Sequence, residues 1–92
     1  MKITLSYFAQ IRQAAGAESE ALEVPTGSTP AAAAAAAAAR HGPEFRRLVL
    51  DDSGSIRPSV LVLVNGVPAP RAGGRPLAEG DALSLLSAVS GG

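Results

Sequence analysis

The sequence predicts one α+β domain over residues 1–92, in which a main helix crosses one face of a mixed sheet of four to five strands. Three observations support this prediction. Apolar and polar residues alternate over residues 2–8, nine consecutive alanines occupy residues 31–39, and the uncharged segment 82–88 has the pattern of a half-buried strand. A chain of 92 residues is long enough for one domain with a small core.

The first strand has one apolar face. Ile3, Leu5 and Tyr7 alternate with polar residues, as in a strand with one solvated face. Phe8 interrupts this alternation and is interpreted as a core residue, with a partner contact as the alternative. Good helix formers follow over residues 9–15 and stop at Gly16, which predicts a short helix. A second strand around residues 21–24 is expected to pair antiparallel with the first.

The clearest helix in the sequence covers the alanine run. Thr29 is placed to cap it and Pro30 occupies the first helical position, where a missing N–H costs nothing. Arg40, His41 and Gly42 form a typical helix end. Because no large apolar side chain marks a buried face, two interpretations remain: a helix packed closely on the sheet, or a loosely attached alanine helix.

The second half of the chain predicts the remaining sheet. Residues 44–50 read as an amphipathic turn, and the apolar run 60–64 as a central strand covered on both faces. Asn65-Gly66 predicts a type I′ hairpin turn leading to a short, proline-containing edge strand at 67–70. With the first and last strands parallel and adjacent, this element order is that of a β-grasp domain.

Composition excludes several classes of function. The chain has no cysteine, so it has no thiol nucleophile, disulfide or thiolate metal site. Eight acidic residues balance eight basic ones, which argues against nucleic-acid binding. The sequence shows no signal peptide and no membrane-spanning segment, so we expect a cytoplasmic protein without a membrane partner. No constellation of nucleophile, base or metal ligands indicates an independent enzyme.

The last four residues form the candidate functional segment. Val89-Ser90-Gly91-Gly92 follows the final strand without any charged residue. Two glycines have no Cβ and therefore fit a channel too narrow for side chains, and Gly92 would carry a reactive carboxylate. We expect a flexible tail over about residues 89–92, attached directly to the sheet; a frayed terminus without function is the alternative.

Four segments resemble one family. Tyr7–Arg12, Val64–Gly66, Pro76–Asp81 and Ser90–Gly92, in this order, resemble the ubiquitin-like sulfur carriers, and among these most closely the small subunits of molybdopterin synthase. The resemblance covers the chain from end to end. It departs from the family in the helix, where spaced leucines are usual, and in Leu86–Ser90, where serine stands in place of a common proline.

The resemblance implies a carrier whose partners perform the catalysis. A ubiquitin-activating-type adenylyltransferase would use ATP to adenylate Gly92, and a sulfurtransferase would convert the adenylate to a thiocarboxylate. The tail, with Ser90, Gly91 and Gly92, would then enter the active site of the large subunit of molybdopterin synthase and donate sulfur to the pyranopterin precursor. The family implies no bound cofactor, no metal and no catalytic residue on this chain.

Other roles and contacts stay open at this point. Relatives with the same ending serve thiamine, cysteine or tRNA thiolation, and some are conjugated to lysines as protein modifiers; a small binding domain is a third possibility. Candidate partner contacts are Phe8, Arg12, Arg71 and Val89, although Arg12 and Arg71 are also typical of a solvated surface. His41 is interpreted as a capping or solvated residue rather than a catalytic one.

Overall fold

A computed structural model describes residues 1–70 and 74–87. Within these residues the chain forms five strands and three helices. Their bounds are β1 Lys2–Tyr7, α1 Ala9–Ala15, β2 Ser19–Glu23, α2 Pro30–His41, α3 Pro43–Val49, β3 Val60–Val64, β4 Val67–Pro68 and β5 Ala82–Ser87.

The sheet has the predicted mixed topology, with strand order β2-β1-β5-β3-β4. β1 pairs antiparallel with β2 and parallel with β5, and β5 pairs antiparallel with β3. The prediction that the first and last strands lie parallel and central is therefore confirmed. This arrangement, with helices on one face of the sheet, is the β-grasp fold.

The alanine helix α2 is packed into the core. Thr29 caps it by accepting a hydrogen bond from the N–H of Ala32 at 3.2 Å. One face of α2 is buried through four alanines, each at most 2% exposed: Ala33, Ala34, Ala37 and Ala38. These alanines belong to the same core cluster as the inward side chains of β1 and β5. The loosely attached alternative is therefore wrong.

Two predictions about burial are also wrong. Phe8 is 43% exposed, because Tyr7 takes the inward position of the β1 alternation and Phe8, the next residue, faces outward as the N-cap of α1. β3 is not covered on both faces: Val60 and Val62 are buried, but Leu61 is 41% exposed. The helices cover only one side of the sheet, so Leu61 and Leu63 of β3 lie on the uncovered side.

The β3–β4 hairpin matches its sequence prediction. Asn65 and Gly66 have φ values of 52° and 82°, the positive values that a type I′ turn requires. The Asn65 amide also donates to Oδ1 of Asp81 at 3.0 Å and accepts from the N–H of Ala82 at 2.9 Å. The hairpin is thereby fixed to the start of β5.

A polar cluster fixes the C-terminal end of α2 to the sheet. The Glu20 carboxylate on β2 accepts hydrogen bonds from the Tyr7 hydroxyl at 2.5 Å and from Nε2 of His41, and it lies 3.2 Å from Nε of Arg40. The rings of Tyr7 and Phe45 pack edge to face, with 5.3 Å between their centroids. The His41 side chain is only 14% exposed, so its interpretation as a solvated residue is wrong.

Burial, hydrogen bonds and charges in this cluster shift the pKa values of Glu20 and Tyr7. Burial alone would raise the pKa of Glu20, but the hydrogen bonds from Tyr7 and His41 and the positive charges of His41 and Arg40 outweigh it and lower that pKa. Burial, together with the hydrogen bond to Glu20, raises the pKa of Tyr7. Glu20 is thus held ionised and Tyr7 protonated.

Candidate functional site

The candidate site begins at the end of β5, the central strand of the sheet. Leu83 and Leu85 are fully buried, and β5 is hydrogen-bonded on both sides, to β1 and to β3. A strand held on both edges and through its buried side chains is among the most rigid parts of a domain. Ser87, its last residue, therefore gives a fixed starting point for the five residues that follow in the sequence.

The sequence-predicted site residues fall partly outside the described chain. Val89, Ser90, Gly91 and Gly92 lie outside the described residues, as does Arg71. What the structure places is the surface around the point where β5 ends.

An apolar patch lies on the face of the sheet opposite to α2. It consists of Leu61, Leu63 and Leu86, hereafter the Leu61 patch. Leu61 lies directly opposite Leu86 in the β3–β5 register, and Leu63 lies opposite the small Ser84. Leu61 is 41% exposed and the other two leucines are half-buried. Adjacent leucines that are all at least partly exposed, beside the end of β5, are typical of a protein-binding surface.

Phe8 and Arg12 lie beside the same end of the sheet. Tyr7 pairs with Leu85, so Phe8 follows at the level where β5 ends, and α1 packs against β5. Phe8 is 43% exposed. Arg12 is half-exposed, and its Nη1 lies 3.8 Å from Oε1 of Glu18, an interaction too exposed to hold it firmly. The structure thus brings these two residues near the end of β5.

The sequence did not indicate the position of the Leu61 patch. Two of its three residues come from a run, Val60–Val64, in which every side chain is apolar, so the pattern cannot separate the exposed face from the buried one. A signal was nevertheless present: residues at alternating positions of β3 differ, with valine on the buried face and leucine on the open one.

Metal ligands and membrane-spanning helices were sought among the described residues. Over residues 1–70 and 74–87, no group of three His, Cys, Asp or Glu is placed to hold a metal ion. In the same part of the chain, no helix has the length and apolar character needed to cross a membrane.

Comparisons with known proteins agree with this geometry. The ThiS family model matches residues 5–92. SAMP1 from Haloferax volcanii is 30% identical with a TM-score of 0.86, and the match covers 100% of both chains. A molybdopterin converting factor subunit 1 from Pyrococcus furiosus is 26% identical with a TM-score of 0.77 and covers 97% of this chain and 99% of its own.

A third similar structure is a complex. In the BexX/CysO complex of Amycolatopsis orientalis, the matching chain is 28% identical with a TM-score of 0.68, over 98% of this chain and 99% of that one. A search of curated protein sequences finds no match. Because the family model covers nearly the whole chain, this protein belongs to the ThiS family, a family of ubiquitin-like sulfur carriers.

Proposed function

We propose that this protein is a sulfur carrier that acts as the small subunit of molybdopterin synthase. The observation that carries the proposal is the position of β5. This central strand, with Leu83 and Leu85 buried, continues in the sequence into Val89–Gly92. A rigid strand followed by a slim glycine segment is suited to placing a carboxylate deep inside a partner's active site.

The proposed chemistry takes place at Gly92. A ubiquitin-activating-type adenylyltransferase joins the Gly92 carboxylate to the AMP part of ATP and releases pyrophosphate. The persulfide sulfur of a sulfurtransferase then attacks the acyl carbon and AMP leaves; a thiol reductant cleaves the S–S bond of the resulting acyl disulfide and leaves a thiocarboxylate. Activation is needed because a carboxylate oxygen is a poor leaving group, and the resulting sulfur is a soft nucleophile that can attack the pyranopterin precursor. We propose that this ATP-dependent chemistry takes place in the cytoplasm.

The Leu61 patch is the proposed docking surface for the large subunit. It is apolar, lies on the open face of the sheet and adjoins the end of β5, so a partner bound there also receives the tail. Phe8 and Arg12 lie at the same end and would extend the contact. Arg71 and Val89 remain proposed contacts from the sequence. The catalytic residues would belong to the partner.

A second candidate function is supported by one comparison. Haloferax volcanii SAMP1 matches over 100% of both chains. A second similar structure from the same organism is of small archaeal modifier protein 1. A protein modifier would use the same activated Gly92 but transfer it to a lysine amine. Sulfur carriers for thiamine, cysteine or tRNA thiolation would share the activation step as well.

Reconstitution with the activating enzyme tests the proposal. With ATP, we expect pyrophosphate release for the full chain and none for a variant lacking Gly91 and Gly92. With a sulfurtransferase and a sulfur source present, the full chain should convert to the thiocarboxylate and then yield molybdopterin when the large subunit and the precursor are added. Activation without any dithiolene product would refute the molybdopterin role while leaving the carrier function in place.

Docking is tested separately on the sheet. Leu61→Ser should weaken binding to the large subunit because it removes exposed apolar area from the centre of the patch. Ala21→Ser is the matched control, since Ala21 lies opposite Thr4 on the same open face but on β2, away from the patch. Equal affinities of the two variants for the large subunit would refute the proposed docking surface.

A further inference from the structure

An activated carboxyl group reacts with amines, so the amines of this chain decide what it does to copies of itself. The sequence contains a single lysine, Lys2, and the other basic residues are arginines. A guanidinium stays protonated at any physiological pH and is not a nucleophile. Two amines therefore remain: the amino group of Met1 and Nζ of Lys2.

The amino group of Met1 is engaged. It donates a hydrogen bond to the carbonyl of Val24 at 2.8 Å and lies 4.0 Å from Oε1 of Glu23. The Met1 side chain beside it is only 6% exposed. To attack an acyl group, this amine would have to leave its partners and lose a proton, and the β1–β2 end would open.

The Lys2 side chain is free by comparison. Lys2 is exposed, and its backbone N–H donates to Oε1 of Glu79 at 3.0 Å. Within residues 1–70 and 74–87, its ammonium group has no hydrogen bond and no ion pair at or below 4.0 Å. Glu23 lies opposite Lys2 on β2, and Glu79 lies beside it, which leaves the amine solvated near two carboxylates.

Lys2 lies on the side of the sheet away from the end of β5. Thr4 pairs with Ala82, which places Lys2 level with Gly80. Leu63 lies opposite Ser84 and Leu61 opposite Leu86, so at about 3.3 Å per residue the Leu61 patch lies about 13–20 Å from Lys2 along the strands. We expect Lys2 to stay accessible beside a partner that is centred on Leu61 and the end of β5.

The same register determines which copy can supply the acyl group. β5 runs away from Lys2, and Ser87 lies seven residues beyond its level, or about 23 Å. The five residues that follow Ser87 in the sequence span at most about 18 Å when fully extended, and they would also have to reverse direction. This geometry favours a donor tail from a second copy over the chain's own tail.

We propose that Nζ of Lys2 is the acceptor site at which the activated Gly92 of a second copy forms an isopeptide bond. This inference rests on the proposed activation of Gly92. Deprotonated Nζ attacks the acyl carbon of the adenylate, the C–N bond forms, the C–O bond to the phosphate breaks, and AMP leaves with the electron pair while the amine loses a proton to solvent. Without sulfur, the protein becomes its own substrate.

Incubation of the purified protein with the activating enzyme, ATP and Mg²⁺, in the absence of a sulfur source, tests this site. We expect dimers and longer species whose linkage maps to Lys2 by peptide mass. Lys2→Arg keeps the exposed positive charge and should be activated normally, as measured by pyrophosphate release, yet give no conjugate. Arg46→Lys in the Lys2→Arg background places a lysine at an exposed position of α3. This variant tests whether the position of the lysine matters, and it should restore little conjugate.

The outcomes separate the two proposals. Each of four results would overturn the Lys2 site. They are linkage to the Met1 amine, persistence of dimers in Lys2→Arg, full restoration of conjugates by Arg46→Lys, and a monomer lighter by one water, which would mean that the chain had acylated itself. Pyrophosphate release without any conjugate would overturn it too, but would leave the carrier function in place. Absence of pyrophosphate release would refute the activation of Gly92 itself and the Lys2 site with it.

Discussion

Replacing Ala37 by leucine tests how tightly the alanine helix packs on the sheet. Ala37 is fully buried within the core cluster. A leucine adds three carbon atoms where neighbouring side chains already touch, and overpacking of this kind costs about 1–3 kcal/mol. If the site instead held spare room, burial of the added carbons would stabilise the fold by about 1.5–3 kcal/mol. A loss of stability would therefore show that α2 is closely packed at Ala37, and a gain would show spare room there.

Thermal unfolding measures the effect. For a domain of this size, about 2 kcal/mol corresponds to a fall in Tm of about 8–16 °C. Ala39→Leu is the matched control, because Ala39 is exposed on the same helix and alanine and leucine have similar helix propensities. We expect Ala39→Leu to change Tm little. A Tm for Ala37→Leu equal to or above that of the control would refute the close packing of α2.

Three further variants test other contacts. Folding lowers the pKa of Glu20 below its ordinary value of 4.5. The contribution of the ionised carboxylate to the free energy of unfolding is therefore complete above pH 4.5 and is lost as the pH falls through the lowered pKa. Glu20→Gln should remove this part of the acid dependence and cost about 1–3 kcal/mol at neutral pH. Asn65→Gly should cost about 1 kcal/mol, because it keeps the turn but loses the bonds to Asp81 and Ala82. Thr29→Ala should cost about 1 kcal/mol through the lost helix cap.

Denaturant titration at several pH values checks all three variants. An unchanged acid dependence for Glu20→Gln would contradict the role of the Glu20 cluster in fixing α2. A neutral Asn65→Gly would mean that the turn conformation alone holds the hairpin. Thr29→Gly serves as the control for the cap, since glycine at this position costs only a few tenths of a kcal/mol.

Local patterns predicted most of the fold. The Asn65-Gly66 turn, the Thr29 cap and the alternation of β1 depend on neighbouring residues, and all three are present as predicted. The parallel pairing of β1 and β5 followed from the handedness of crossovers rather than from any single residue.

Features that depend on distant residues could not be predicted. His41 and Glu20 are 21 residues apart in sequence, and no periodicity connects a helix end to a strand. Nine identical alanines give no signal for which side is buried. Leu61 looks like a core residue because its neighbours on both sides are apolar, and only the absence of a covering helix on that face exposes it.

The most direct test of the central proposal is the intact mass of the protein isolated from its native host, with the C-terminal peptide mapped. The carrier function predicts a fraction of molecules in which one oxygen of the Gly92 carboxylate is replaced by sulfur. A carboxylate alone, even after supply of activating enzyme, ATP and a sulfur source, would contradict the proposal.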